Sequence, residues 1–240
     1  KAALAGLSEA EIPAAAHAAK AAGKAGKFML PLQNTTQQPS QVSLTERATR
    51  EALFKASTTR TERGDANDTR KIIQRLAVLR AERAKLLGFP NYATYTLDDQ
   101  MAKTPEAALK LMTDMVPAAT AKARGEAAQM QALIDKQKGG FKLAPWDWQY
   151  YAEQVRKAEY DLDEAQIKPY LEINRVLEDG VFFAATQLYG ITFKERKDIP
   201  VYDPDVRVFE VFDKDGSPLA LFYADFWKRD SKRGGAWMDN

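Results

Sequence analysis

The sequence predicts a mainly α-helical chain with a small β-hairpin near its C-terminal end. Helix-capping residues followed by apolar stripes of helical period recur from Ser8 to Leu188, punctuated by glycine and proline. The pattern then changes in DVRVFEVFDKDGSPLALFYADFWKRDSKRGGAW, from Asp205 to Trp237. Val206–Phe212 and Leu219–Phe226 are dense in β-branched and aromatic residues, and the Asp215-Gly216 pair between them supplies the positive φ of a tight turn. The chain thus divides into two regions: 1–190, mostly helical, and 191–240, a hairpin and a basic, glycine-bearing loop.

Ser8 and Glu11 form a capping box that opens an alanine-rich helix, which Gly23 and Gly26 end. Gly23-Lys24-Ala25-Gly26-Lys27 lacks the spacing and the Ser/Thr of a phosphate loop, so it reads as a helix stop. Lys27–Gln33 is short and apolar, and Pro31 limits it to an edge strand; 33–41 is a polar loop. Ser43 and Glu46 suggest a second capping box, opening a helix to about Arg60. Asn67 or Asp68 caps a third helix with Ile72, Ile73, Leu76, Leu79, Leu86 and Leu87 on one face, and Gly88 with Pro90 stops it. Its opposite face carries Arg70, Lys71, Arg75, Arg80 and Lys85, a solvated surface.

Thr104-Pro105-Glu106 starts a long helix running to Lys138, with Leu109, Met112, Met115, Val116, Met130, Leu133 and Ile134 as its stripe. Pro117 predicts a kink or break near Met115. Pro145 and Asp147 start the next helix, Asp161 and Asp163 cap another, and Pro169 begins a third that Gly190 terminates. Ile191–Phe193 leads by a short strand into the hairpin.

The bulk composition excludes several function classes. A net charge of +2 over 240 residues gives no support to nucleic-acid binding. Zero cysteines exclude disulfides, thiolate metal sites and cysteine nucleophiles. No apolar run of about 18 residues is present to cross a membrane. His17 is the only histidine, so a Ser-His-Asp triad or a histidine zinc site lacks partners. Asp213-Lys214-Asp215-Gly216 lacks the later acids of a calcium loop and reads as the hairpin turn. No catalytic or metal-ligating residue is assigned. The most functional-looking set is basic: Lys228, Arg229, Lys232 and Arg233, interleaved with Asp225 and Asp230 beside Gly234-Gly235. Such a set can hold a carboxylate or line a groove, or it can be a plain charged loop.

Several long segments resemble one family in order and spacing. They are PWDWQYYAEQVRKAEYDLDEAQIKPY (Pro145 to Tyr170), YDPDVRVFEVFDKDGSPLALFYADFWKRDSKRGGAW (Tyr202 to Trp237), KLLGFPNY (Lys85 to Tyr92) and LPLQNTTQQPS (Leu30 to Ser40). Together they resemble the thimet oligopeptidase family, in particular its bacterial peptidyl-dipeptidase (dipeptidyl carboxypeptidase) and oligopeptidase A branch. The resemblance covers nearly the whole chain.

That resemblance implies a zinc metallopeptidase of helical, zincin-like (neurolysin-like) architecture whose deep channel admits short unstructured peptides. The family's zinc-binding HExxH helix is expected beyond Asn240, so these residues are expected to be an internal piece, inactive by itself, with the zinc bound elsewhere in the full-length enzyme. Arg229, Lys232 and Arg233 become the candidate substrate-binding residues, placed to meet peptide backbone or a C-terminal carboxylate. A non-catalytic helical domain that binds a peptide or protein is the alternative. Exposed apolar surface near Phe222, Phe226 and Trp227 is expected to favour self-association. Exo- versus endopeptidase specificity and compartment, cytoplasm or periplasm, stay open.

Overall fold

A computed structural model describes residues 2–32, 39–160, 164–227, 229 and 231–232. The chain falls into two compact units, Lys1–Asp161 and Leu162–Asn240. The change from helix to strand near residue 190 thus lies inside the second unit.

The first unit begins with a 3-10 turn, Ala2–Leu4, and helix α1, Glu11–Ala21. The Ser8/Glu11 box is present: the Ser8 amide donates to Glu11 Oε2 at 2.8 Å and the Glu11 amide to Ser8 Oγ at 3.3 Å. Residues 27–32 form no strand. The Met29 amide instead bonds the Ala15 carbonyl at 2.9 Å, so this segment runs against α1 without a strand partner. Of the polar loop expected at 33–41, residues 33–38 lie outside those described.

The Ser43/Glu46 reading is corrected. Ser43 ends a single turn, α2 (Ser40–Ser43), and Leu44 is extended with ψ 116°. The main helix α3 (Arg47–Thr58) starts later, with Glu46 itself as the cap accepting from the Ala48 amide. The extended step is fixed by packing: Leu44 is fully buried with Leu4, Leu7 and Leu53, and the Thr45 amide bonds the Ala5 carbonyl at 2.9 Å. A buried leucine and a long-range hydrogen bond here outweigh a local capping signature.

Helix α4 (Arg70–Leu86) has Thr69, not Asn67 or Asp68, at its N-cap position, without a side-chain capping bond; Asp68, one residue earlier, accepts from the Arg70 amide at 3.1 Å. Gly88, at φ +80°, turns the chain out of the helix. Asn91 caps the short α5 (Tyr92–Leu97) by accepting from the Thr94 amide. Thr104 caps α6 (Pro105–Lys136), which stays one helix through Pro117 where a break was an expected outcome. A 3-10 turn at Pro145–Asp147 leads into α7 (Trp148–Tyr160). Met130, Ile134 and Tyr151 join α6 to α7 in a second core cluster, with Phe141, Leu143 and Trp148 around it. By contrast, the α4 stripe is bare: Ile72 and Ile73 are each 59% exposed and only Ala84 is buried.

Asp161 and Asp163, expected as caps, lie outside the described residues. A turn at Glu164–Ile167 (α8) precedes Lys168–Leu171, and Glu172 then caps a helix by accepting from the Asn174 and Arg175 amides. The helix runs through α9 (Ile173–Arg175), a π-helical stretch at Val176–Phe182 and α10 (Phe183–Tyr189), ending at Gly190 with φ +75°. It packs on an antiparallel sheet in the order β1-β2-β3: Thr192–Arg196, Arg207–Phe212 and Pro218–Ala224. The expected hairpin is β2–β3. Its register pairs Phe209 with Phe222, slips between Val211 and Phe212, and closes at the Asp-Gly turn with Gly216 at φ +82°. Phe182 stacks on Phe193 at a 4.0 Å centroid distance and meets Phe209 edge-on at 4.9 Å, fastening helix to sheet.

Candidate functional site

Strand β3 delivers the chain to the basic segment, and the acid just past its end gathers the cations around itself. Asp225 accepts two hydrogen bonds from Arg229, Nη1 to Oδ1 at 2.7 Å and Nη2 to Oδ2 at 2.8 Å. Lys232 Nζ lies 3.1 Å from Oδ1 and also donates to the Asp225 and Trp227 carbonyls. Tyr202, from the loop before β2, donates to Oδ2 at 3.1 Å, and its ring lies 5.4 Å from the Arg229 guanidinium. Asp203 from the same loop stands 3.6 Å from Arg229 Nε.

This is a five-residue electrostatic knot with Asp225 at its centre. The bidentate Arg229 and the Lys232 ammonium hold the Asp225 carboxyl well below the usual carboxylate range. Asp225 in turn, with Asp203, raises the Arg229 pKa. Burial pushes the Tyr202 phenol up, and its bond to Asp225 acts in the same direction. Of the three basic candidates, Arg229 and Lys232 therefore come together on one acid, while Arg233 lies outside the described residues, as do Lys228 and Asp230.

A second charged cluster escaped sequence reasoning. Asp147 has no exposure and accepts from Arg47 Nε and Nη2 and from Arg50 Nη2, at 2.9–3.1 Å. The Ala144 amide donates to the same carboxylate at 3.1 Å, so Asp147 is both the expected helix starter and the anchor for α3. The guanidinium of Arg50 lies 4.3 Å from the Tyr150 ring and that of Arg47 4.2 Å from Phe141. The available signal was Arg47 and Arg50 three apart on one helix face. Pairing them with an acid about a hundred residues away needs the fold.

Among the described residues no group of three or more His, Cys, Asp or Glu side chains is placed to hold a metal ion. His17 is exposed on α1. The described residues therefore do not fit a zinc site. No helix is long and apolar enough to cross a membrane among the described residues.

Comparison with known proteins decides the family. The model of peptidase family M3 matches residues 40–240. The chain belongs to peptidase family M3. It is 62% identical over 237 residues to the dipeptidyl carboxypeptidase of Escherichia coli K12, and 58% to that of Salmonella typhimurium LT2. To oligopeptidase A of Escherichia coli K12 it is 36% identical over 241 residues. Each match takes in 99% of this chain but 35% of the relative, so the chain spans about a third of the length of these M3 peptidases. The mainly helical fold with a small sheet near its C-terminal end, expected from the sequence, is that of this M3 segment.

Proposed function

We propose that these 240 residues are part of a longer M3 metallopeptidase that hydrolyses short peptides and releases dipeptides from their C-termini. The observation that carries this reading is the difference in identity: 62% to a dipeptidyl carboxypeptidase against 36% to an oligopeptidase A, over nearly the same residues. The zinc ion of such an enzyme would be held by residues outside this chain. Within it, the Asp225 knot fixes the course of the segment after β3, so Arg229 and Lys232 form a basic border for a peptide's terminal carboxylate; Arg233, the third candidate, follows Lys232 in the sequence.

The test is made on the full-length protein. Peptides of four to eight residues, with free or amidated C-termini, are incubated with it and the products separated by mass. Stepwise loss of C-terminal dipeptides, abolished by a chelator and restored by zinc, is the expected result. Internal cleavage regardless of the C-terminus would assign an oligopeptidase instead. Peptide binding without any cleavage would make this a non-catalytic peptide-binding domain.

A further inference from the structure

Helix α6 carries one apolar stripe along its length, and only the C-terminal half of that stripe is covered. Leu109, Met112, Val116, Met130 and Ile134 fall on one face at helical spacing. Met130 and Ile134 are 2% and 0% exposed against α7, whereas Leu109, Met112 and Val116 are 56%, 53% and 56% exposed. Every residue from 109 to 125 is exposed. At 1.5 Å per residue, the 32 residues of α6 extend about 48 Å and the 13 of α7 about 20 Å, leaving about 28 Å of seam that α7 does not reach. A helical stretch with no packed face is marginal in water, so a stripe this regular implies a partner.

We propose that the uncovered N-terminal half of α6 receives an amphipathic helix of about 19 residues, the number that spans about 28 Å. That helix comes from the part of the same polypeptide lying outside these 240 residues. The inference rests on the reading of the chain as a segment of a longer M3 peptidase. Two observations select this occupant over a second copy. The open seam continues directly from the interface that α7 already fills, so the face is built for intramolecular helix packing. The chain also spans only 35% of its relatives' length, which leaves ample polypeptide to supply a helix.

Hydrogen–deuterium exchange decides it, with the full-length protein compared against the 240-residue chain. In the full-length protein the amides of 109–120 are expected to exchange on the order of 100-fold more slowly than in the 240-residue chain. Met112→Lys in the full-length protein is expected to return that segment to fast exchange while 130–136 stays protected. Equal exchange of 109–120 in both proteins overturns the inference. So does protection in the 240-residue chain that grows with concentration alongside a dimer mass in light scattering, because a second copy is then the occupant. A natural polypeptide of only 240 residues by intact mass is a separate result: it removes the M3-segment reading itself, and this inference with it. If Met112→Lys does not fold, the comparison of the two unaltered proteins still decides between these outcomes.

Discussion

Arg50 and Asp147 stand 97 residues apart in sequence and 2.9 Å apart in space, with both side chains sealed from water. Arg50 also donates to the Leu44 and Thr45 carbonyls at 2.8 and 3.1 Å, so one guanidinium joins α3, the extended step before it and the turn before α7. Coulomb attraction in such a place roughly offsets the desolvation of the two ions, but a single partner left behind has no such compensation. Asp147→Ala strands a buried Arg50 and is expected to cost about 3–5 kcal/mol. Urea unfolding of the 240-residue chain, followed by circular dichroism, measures it. A loss below about 1 kcal/mol would mean that water reaches the site and solvates the guanidinium.

The N-terminal turn depends on a missing side chain. Gly6 sits at φ +95°, and a Cβ there would lie 1.9 Å from the Ser43 carbonyl oxygen and 2.9 Å from the Thr45 amide nitrogen. Both are backbone atoms, and neither can rotate away. Gly6→Ala is therefore expected to separate the Leu4–Leu44–Leu53 cluster at a cost on the order of 2 kcal/mol or more. Thermal unfolding would register this as a lowered midpoint, and an unchanged midpoint would show that the 2–7 segment can swing away freely.

Phe182 links the π-helical stretch to the sheet through three aromatic neighbours, Phe193, Phe209 and Phe222. It is half-buried, so only part of its surface is lost to solvent. Phe182→Leu keeps most of the volume and is expected to cost about 1 kcal/mol, and Phe182→Ala about 3 kcal/mol. If Phe182→Leu unfolds at the same urea concentration as the unaltered chain, the ring stack contributes nothing beyond apolar area.

The elements that local chemistry dictates were legible in the sequence. The β2–β3 hairpin stood out because the Asp215-Gly216 pair and the alternating aromatics agree with each other. Gly88 and Gly190 marked helix ends because both adopt positive φ. What the sequence hid was any choice decided at long range. Glu46 caps α3 in place of Ser43 because Leu44 belongs to a core made with Leu4 and Leu53. Asp147 read as a helix starter because its arginines come from another helix. The stripe on α4 reads as core and is bare in water, since no described residue packs over it; periodicity marks a face to be covered without saying by what. In the basic segment, Asp225 was visible as a neighbour of the cations, but its position as their common acceptor required the strand that aims it.

The electrostatic knot has a pH signature with a definite sign. Arg229 holds the folded-state pKa of Asp225 below the roughly 3.9 of an unperturbed aspartate. A depressed carboxylate contributes stability that is fully present above the unfolded value and is lost as pH falls through the folded value. The segment after β3 is therefore expected to keep its arrangement at pH 4, where unpaired carboxylates are taking up protons, and to lose it only at more acidic pH. Carboxyl carbon shifts of Asp225 followed by NMR supply the midpoint directly. Arg229→Gln should move that midpoint upward, and a wild-type midpoint near 3.9 would mean the bidentate pair does not persist in solution.

Arg229 also separates a substrate-binding role from a purely structural one. If the basic border receives a terminal carboxylate, Arg229→Ala in the full-length enzyme removes a charge-assisted contact and leaves Asp225 facing the substrate with Lys232 alone. KM for peptides with a free C-terminus is then expected to rise about tenfold or more, with a small change in kcat, since losing a hydrogen bond to a charged group costs roughly 1.5–3 kcal/mol. Peptides with an amidated C-terminus lack the carboxylate and should show little change in KM. Lys232→Ala should act in the same direction but less strongly, because Lys232 is a point charge rather than a planar fork. A loop that only braces the sheet predicts a different pattern: both substrate classes lose activity equally, in step with a lowered unfolding temperature. Arg229→Lys distinguishes the two further. It keeps the charge and loses the bidentate geometry, so carboxylate recognition should recover in part while the Asp225 knot stays loosened.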